Sequence, residues 1–396
     1  LFLITRKSVP MYLAVQKNGD RMVRTVQEDI TGIRVIKALS KTEHESEKFG
    51  GIASDLASSE FRAQRVMSLT NPLTSLILNL GLVAVIVAGA FLSAEAGDIT
   101  GFLTYFIIVL NAMLGISRIF VILSRGAASA ERIEKVLALD EREKSEEHLA
   151  GDPAFAVEFK DVSFSYGGDK EHLTGISFAL NKGASLGIIG PTGCGKSTVV
   201  NLLLRLYDVS AGAVYVDGQD VRSLPSEKLR KKFGVVFQNG YLMAASIREN
   251  IDYGRDLPEE AIIRAARCAQ AEEFIKELPE RYGHDLAQKA GDLSGGQKQR
   301  LLIARALAAS PGIVVLDDSS SALDYATDAA LRRALQREYA GTTRIVVAQR
   351  VSSVKNCDLI LVLENGSVTG AGTHEDLMKS CPEYRAIAET QMGEAV

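Results

Sequence analysis

Between Arg65 and Glu95 the chain carries no charged side chain, and Leu76 to Leu92 is almost wholly apolar. Wound as a helix rising about 1.5 Å per residue, that run crosses a hydrocarbon core of about 30 Å. A second run, Ile99 to Ser117, is followed by Arg118 and then by Ile119 to Ser124. Core helices of water-soluble domains seldom stay charge-free beyond about 14 residues, so the pattern predicts two membrane-spanning helices over 69–123. Arg118 can snorkel or line a polar path. Arg6, Lys7, Lys17, Arg21, Arg24, Arg34, Lys37, Lys41, Lys48, Arg62 and Arg65 precede the first run, and Arg118, Arg125, Arg132 and Lys135 follow the second. The Ala94–Asp98 loop between them has Glu95 and Asp98 but no basic residue. The asymmetry predicts a hairpin that enters and leaves from the cytosol.

Upstream, Val23, Val26, Ile30 and Ile33 recur at three and four residues, which predicts helices too polar to span. Residues 1–68 read as cytosolic helical extensions, with Gly32 and Gly50–Gly51 as expected breaks. Charge concentrates from Ala130 to Ala150, marking 124–152 as a linker helix and exposed joint that Gly151-Asp152-Pro153 closes. The chain opens at Leu1 inside an apolar stretch, which gives the expectation of further helices before it.

After Pro153 short apolar strands alternate with helices. Ser185 to Ile189 reads as a strand and runs into Gly190, Pro191, Thr192, Gly193, Cys194, Gly195, Lys196, Ser197 and Thr198, followed by helical Val199–Leu206. Strand, G-x-x-x-x-G-K-S loop and helix form a phosphate cradle, with backbone N–H groups and a helix N-terminus facing the anion. Lys196 reaches the β and γ phosphates of a nucleotide, and the Ser197 hydroxyl ligates Mg²⁺. A second Mg²⁺ ligand, Asp317, ends the apolar run Ile313–Leu316. Between them Leu293-Ser294-Gly295-Gly296-Gln297 opens another helix, a second anion site. One chain has no evident need for two such sites, so the economical reading is that Ser294 to Gln297 cap the γ phosphate of a nucleotide held by another subunit.

Composition narrows the field. The chain of 396 residues has 45 basic and 49 acidic side chains, and this excess of acid argues against a nucleic-acid partner. Cys194, Cys268, Cys357 and Cys381 form no CxxC pair and the five histidines are scattered, so no zinc site is expected and the thiols read as reduced.

These motifs resemble the ABC transporters of the exporter type. The resemblance identifies 190–198 as Walker A, Leu293–Gln297 as the signature, Asp317 as the end of Walker B and Ser321–Asp324 as the D-loop. It implies that Gln238, in Val235-Val-Phe-Gln, is the glutamine that approaches Mg²⁺ and senses the membrane domain, and that Tyr166, in Phe164-Ser-Tyr, stacks on adenine. The implied fold is all-α membrane helices fused to an α/β P-loop NTPase domain at 153–396, with ATP and Mg²⁺ as ligands. Gln27–Ala38 resembles the loop between exporter helices four and five. The two spans are then helices five and six, and some stretch of 39–48 is a coupling helix. Such subunits need six spans, which implies that helices one to three and most of four are missing here. Asn79, Asn111 and Arg118 are polar positions that either face a cargo cavity or bond between helices.

Three positions depart from the family pattern. Asp318 stands where active members have a glutamate that polarises the attacking water, Gln349 where they have a histidine on the γ phosphate, and Gln288 where glutamate is common. Aspartate retracts the carboxylate by about 1 Å, a displacement that can cost on the order of a hundredfold in rate. Glutamine carries neither a proton nor a charge to that phosphate. With every nucleotide-binding feature intact, the set implies a degenerate site in a bacterial heterodimeric multidrug-type exporter, in the cell membrane with its nucleotide domain in the cytoplasm. The implied partners are a second half-transporter, the bilayer, and an amphipathic small molecule or lipid as cargo. The alternatives are a homodimeric lipid or peptide exporter and a non-transporting regulator on the same frame.

Overall fold

The computed structural model describes residues 2–91, 96–138, 150–167, 171–319 and 322–393. The chain divides into two compact units, Leu1–Leu139 and Asp140–Val396.

The first unit is four helices: α1 (Phe2–Ala38), α2 (Thr42–Met67), α3 (Thr70–Phe91) and α4 (Ala96–Leu137). α1 and α2 pack as an antiparallel pair, pinned where Asn18 Nδ2 donates to Ser59 Oγ at 2.7 Å and Arg21 meets Asp55 at 3.8 Å. The expected breaks at Gly32 and Gly50–Gly51 do not occur, since α1 and α2 run straight through them. A helical glycine costs only about 1 kcal/mol against alanine, too little to interrupt helices of 37 and 26 residues. The chain turns instead at Ser40, which adopts φ 53°. Lys41 N–H donates to Ile36 O and Ser40 N–H to Lys37 O, a Schellman closure with serine where glycine is usual. The stretch expected to couple, 39–48, is thus this turn and the start of α2.

α4 is continuous from Ala96 to Leu137, so the helical part of the expected linker is its extension. α3 and α4 approach through small residues: a Cβ at Gly81 would lie 3.0 Å from Phe106 and one at Gly89 2.8 Å from Ile99. The opposite face of α3 exposes Leu73, Leu76, Ile77, Leu80, Val83 and Val87, and Phe91 is 87% exposed. A water-facing side would be polar, so this face suits lipid or further helices. Among the described residues no helix is long and apolar enough to cross a membrane. The longest wholly described run of α3 is 75–91, whereas the uncharged sequence extends from 66 to 94. The side chains of Asn111 and Arg118 lie outside the described residues.

The second unit opens with β1 (Phe155–Phe164), β2 (Leu173–Asn181), β3 (Ser185–Ile189), α5 (Lys196–Leu203), β4 (Ala211–Val216) and β5 (Gln219–Asp220). It continues through α6 (Ser226–Arg230), β6 (Phe233–Val236), α7 (Ile247–Asp252), α8 (Glu259–Cys268), α9 (Glu272–Glu277) and α10 (Gly295–Ala308). β7 (Ile313–Asp317), α11 (Tyr325–Glu338), β8 (Thr343–Val347), α12 (Val351–Val354), β9 (Leu359–Glu364), β10 (Ser367–Gly372), α13 (His374–Ser380) and α14 (Pro382–Gly393) complete it. β2-β1-β4-β5 form an antiparallel sheet, and β10-β9-β3-β8-β7-β6 a second sheet whose five members from β9 to β6 run parallel. Continuous apolar runs such as Ile313–Leu316 suit strands covered on both faces. α5 lies between the sheets, and Val199 and Leu202 share a buried core with Phe159 of β1 and Ile188 of β3. A second core joins α7, α8, α10 and α11, and a third joins β9 to α12, α13 and α14.

Two glycine substitutions separate local propensity from packing. Gly50→Ala, with open space around its Cβ, is expected to stabilise by about 0.5–1 kcal/mol. Gly234→Ala would put its Cβ 2.2 Å from the Ala306 carbonyl oxygen and is expected to cost about 3 kcal/mol. Thermal unfolding followed by circular dichroism checks both.

Candidate nucleotide site

The site forms at the carboxyl ends of the parallel strands, where open α/β sheets bind ligands. Gly190 leaves β3 with φ 156°, and a Cβ there would lie 2.1 Å from the Leu363 carbonyl oxygen, so only glycine lets the loop pass β9. Gly195 caps α5 with φ 104° and would strike Leu173 at 2.6 Å if it carried a side chain. The first N–H groups of α5 therefore open into the loop's concavity, ready for an anion. Lys196 Nζ crosses the same loop and donates to the carbonyls of Gly190 and Pro191, both at 2.7 Å. The loop closes around a cation that faces the phosphate position.

Ser197 donates its hydroxyl hydrogen to Asp317, which ends β7 and is only 4% exposed. Burial, with the Asp318 charge adding to it, holds the Asp317 carboxyl above the usual carboxylate range, against the opposing pull of the Ser197 bond and Lys196. A hard divalent cation reverses that balance, because hydroxyl, carboxylate and amide oxygens are its preferred donors. Ser197, Asp317 and the amide oxygen of Gln238 would hold Mg²⁺ together with nucleotide phosphates. Among the described residues no group of three or more His, Cys, Asp or Glu could hold a metal by itself.

The next residue, Asp318, takes φ 48°, a left-handed conformation in which aspartate is enriched among non-glycine residues. Its N–H donates to Val347 O at 2.9 Å. Its Oδ2 accepts from Gln238 Nε2 at 3.3 Å and from Gln349 Nε2 at 3.2 Å. Gln238 follows β6, Asp318 follows β7 and Gln349 follows β8, so three neighbouring strand ends converge on one oxygen. Burial raises the Asp318 carboxyl, while Lys196, Arg350 and the Gln349 bond pull it down.

Tyr166 stands beside the loop. Its hydroxyl donates to Thr198 Oγ1 at 3.2 Å and accepts from Asn201 Nδ2 at 3.1 Å. Phe164, His172 and Tyr207 meet its ring edge-on, with centroids 4.8, 5.0 and 4.9 Å away. The ring is 44% exposed.

A cavity of about 310 Å³ gathers the loop and strand-end groups, and Tyr166 stands outside its lining. Thr192, Gly193, Lys196, Ser197, Gln238, Asp317, Asp318 and Gln349 line it, joined by Glu171, His172, Asn365 and Gly366, which sequence reasoning did not find. The signature does not line it. Ser294 instead caps α10, its Oγ accepting from Gln297 N–H while Gln297 Oε1 accepts from Ser294 N–H at 2.8 Å. Ser294 and Gly295 are exposed, and a Cβ on Gly296 would lie 3.2 Å from Ala322 O. Gln288 sits in a short 3-10 turn just before the signature. Ser321 of the D-loop lies outside the described residues.

Two family models match the chain: "ABC transporter transmembrane region" over residues 2–113 and "ABC transporter" over residues 173–321. An uncharacterized ABC transporter ATP-binding protein of Bacillus subtilis, YfiB, is 34% identical over 399 residues, covering 99% of this chain and 69% of that protein. A fatty acid ABC transporter ATP-binding/permease protein of Mycobacterium bovis is 34% identical over 385 residues, covering 95% of this chain and 60% of that one. Among solved structures, a bacterial Atm1-family ABC exporter with ATP bound superposes with a TM-score of 0.86 at 26% identity, covering 97% of this chain and 68% of that chain.

The raised Asp317 carboxyl gives a signed expectation. A group whose folded pKa is raised binds protons more tightly in the native state, so its ionisation removes stability as pH rises through that pKa. Asp317→Asn should therefore raise the melting temperature of nucleotide-free protein at pH 7.5, with a gain that shrinks as pH falls toward about 4. The same substitution should abolish the melting shift produced by Mg-ATP. Melting scans at both pH values, with and without Mg-ATP, read each effect.

Proposed function

The chain belongs to the ABC transporters, a transmembrane region fused to a cytoplasmic ATP-binding domain. From that premise we propose that it is one half of a heterodimeric exporter whose own ATP site hydrolyses slowly. The observation that carries this reading is the hold on Asp318. A carboxylate that must polarise water needs a free lone pair directed at it. Here one oxygen already accepts two amide donors, on an arm one methylene shorter than glutamate. Gln349 supplies a neutral amide where a charged or proton-bearing ring would meet the developing phosphate charge. Nucleotide binding is left complete, through the loop, Lys196, Ser197, Asp317 and Tyr166.

In this reading ATP on the Walker motifs is covered by the signature of a sister chain, and Ser294–Gln297 of this chain cover the sister's ATP. Mg²⁺ shields the β and γ phosphate charge. Binding of two nucleotides closes the nucleotide domains and turns the membrane cavity outward, and hydrolysis at the site led by the sister's Walker motifs resets it. The broad apolar face of α3 and the fatty acid transporter among the relatives support an amphipathic or lipid-like cargo.

Purified full-length chain without a sister chain is expected to hydrolyse ATP about a hundredfold more slowly than the pair. Self-paired protein turning over as fast as the hetero-pair would end the proposal. In the pair, Asp318→Glu combined with Gln349→His should raise turnover at this chain's own site at least about tenfold. Vanadate trapping of a photoreactive ATP analogue, which labels each chain separately, measures that gain.

A further inference from the structure

α12 begins at Val351, directly after the strand end that carries Gln349, and its N-cap Arg350 makes no side-chain cap. The orphan N–H that a helix start leaves is satisfied from elsewhere. Val351 N–H donates to Oε1 of Gln391 at 2.8 Å, and Gln391 Nε2 donates to the Gln349 carbonyl oxygen at 2.8 Å. One side chain on the last helix, α14, thus grips the backbone on both sides of Arg350. The grip has a rigid base. Tyr384 and Ala388 of α14 are fully buried, in the same core as Ala348 and Val351, and Tyr384 is further fixed by its hydroxyl at 2.8 Å from His374 Nδ1. Gln391 follows Ala388 by one helical step of three, so its reach toward residues 349–351 is set by that packing.

We propose that Gln391 is a positioning residue that keeps this ATP site slow: by clamping the backbone of residues 349–351 it holds the Gln349 amide on the Asp318 carboxylate oxygen. The chain of contacts runs from α14 through Gln391 to the Gln349 backbone, and from the Gln349 side chain to Asp318 Oδ2 at 3.2 Å. Gln391 is not in the cavity lining and acts only through Gln349. The proposal rests on the reading of the Gln349 amide on Asp318 as part of what slows this site, and the test includes an arm for that reading.

The test uses the full-length transporter with Gln391→Ala, Gln391→Glu and Gln349→Ala. Single-turnover hydrolysis of photoreactive ATP bound to this chain is read alongside amide hydrogen exchange of residues 345–355. Gln391→Ala should speed hydrolysis at this site about tenfold, leave the ATP concentration for half-saturation within about twofold, and speed exchange at Val351. Gln391→Glu keeps an acceptor for Val351 N–H but loses the donor to Gln349 O. It should restore protection at Val351 while hydrolysis stays at the faster rate. Melting scans show that the variants are folded; a Gln391→Ala protein that fails to fold leaves Gln391→Glu to decide. Unchanged slow hydrolysis in both Gln391 variants beside faster hydrolysis in Gln349→Ala overturns the clamp alone. Unchanged hydrolysis in Gln349→Ala overturns the reading of Gln349 and the proposal with it.

Discussion

The ends of three parallel strands meet on a single carboxylate oxygen, and the state of the nucleotide site depends on that meeting. Asp318 Oδ2 is the common acceptor for amides arriving after β6 and after β8. The backbone at Asp318 is left-handed, a conformation that burdens long or branched side chains more than aspartate. Aspartate therefore suits the turn locally even as its shorter arm draws the carboxylate back from the cavity. Two short-range preferences, a relaxed backbone and satisfied amides, favour an arrangement that is poor for activating water. In the proposed reading, the residue that follows Walker B holds its neighbours rather than serving the chemistry.

Asp317 and Asp318 are adjacent acids in a partly dry site, where burial raises both carboxyls and the Asp318 charge adds to the rise at Asp317. Lys196 opposes both, while its own ammonium is bound by two loop carbonyls. The loop's charge is thus organised before any phosphate arrives, as electrostatic preorganisation requires. Mg²⁺ and the phosphates complete a balance that the protein alone leaves unfavourable. This is the usual trade between stability and a binding site, and it gives nucleotide a large leverage over the folded state.

Features that depend on neighbouring residues were legible in the sequence: the charge-free runs, the strand–loop–helix around Lys196, and the cap at Ser294. Gly32 and Gly50–Gly51 misled, because a glycine's weak local preference yields when helices as long as α1 and α2 pair. Asn365-Gly366 reads as a hairpin turn, yet nothing local says that this turn lies against the phosphate loop. That follows from β9 pairing beside β3, which brings Gly366 N–H to Cys194 O at 3.2 Å. Gln391 is further still from any motif. Its grip on residues 349–351 exists only because a buried core seats α14 beside β9 and α12. Long-range placement of single polar side chains is what periodicity and spacing leave undetermined.

The separation of the signature from the phosphate cavity constrains how ATP can be used. Ser294 spends its hydroxyl oxygen on Gln297 N–H, so the helix start is capped without any ligand. The first turn of α10 starts beside exposed Ser294 and Gly295. In the proposed reading this helix start meets a phosphate presented from outside the domain. The signature does not line the phosphate-loop cavity, so in that reading neither site is complete within one nucleotide domain. Two such domains facing each other complete both at once. If the chains differ, each site takes its Walker half from one chain and its signature half from the other. A weakened acid at Asp318 then slows one site only, while the signature of the same chain continues to serve the second. Substitutions at Asp318 and at Ser294 consequently act on different ATP molecules, even though both residues belong to one domain.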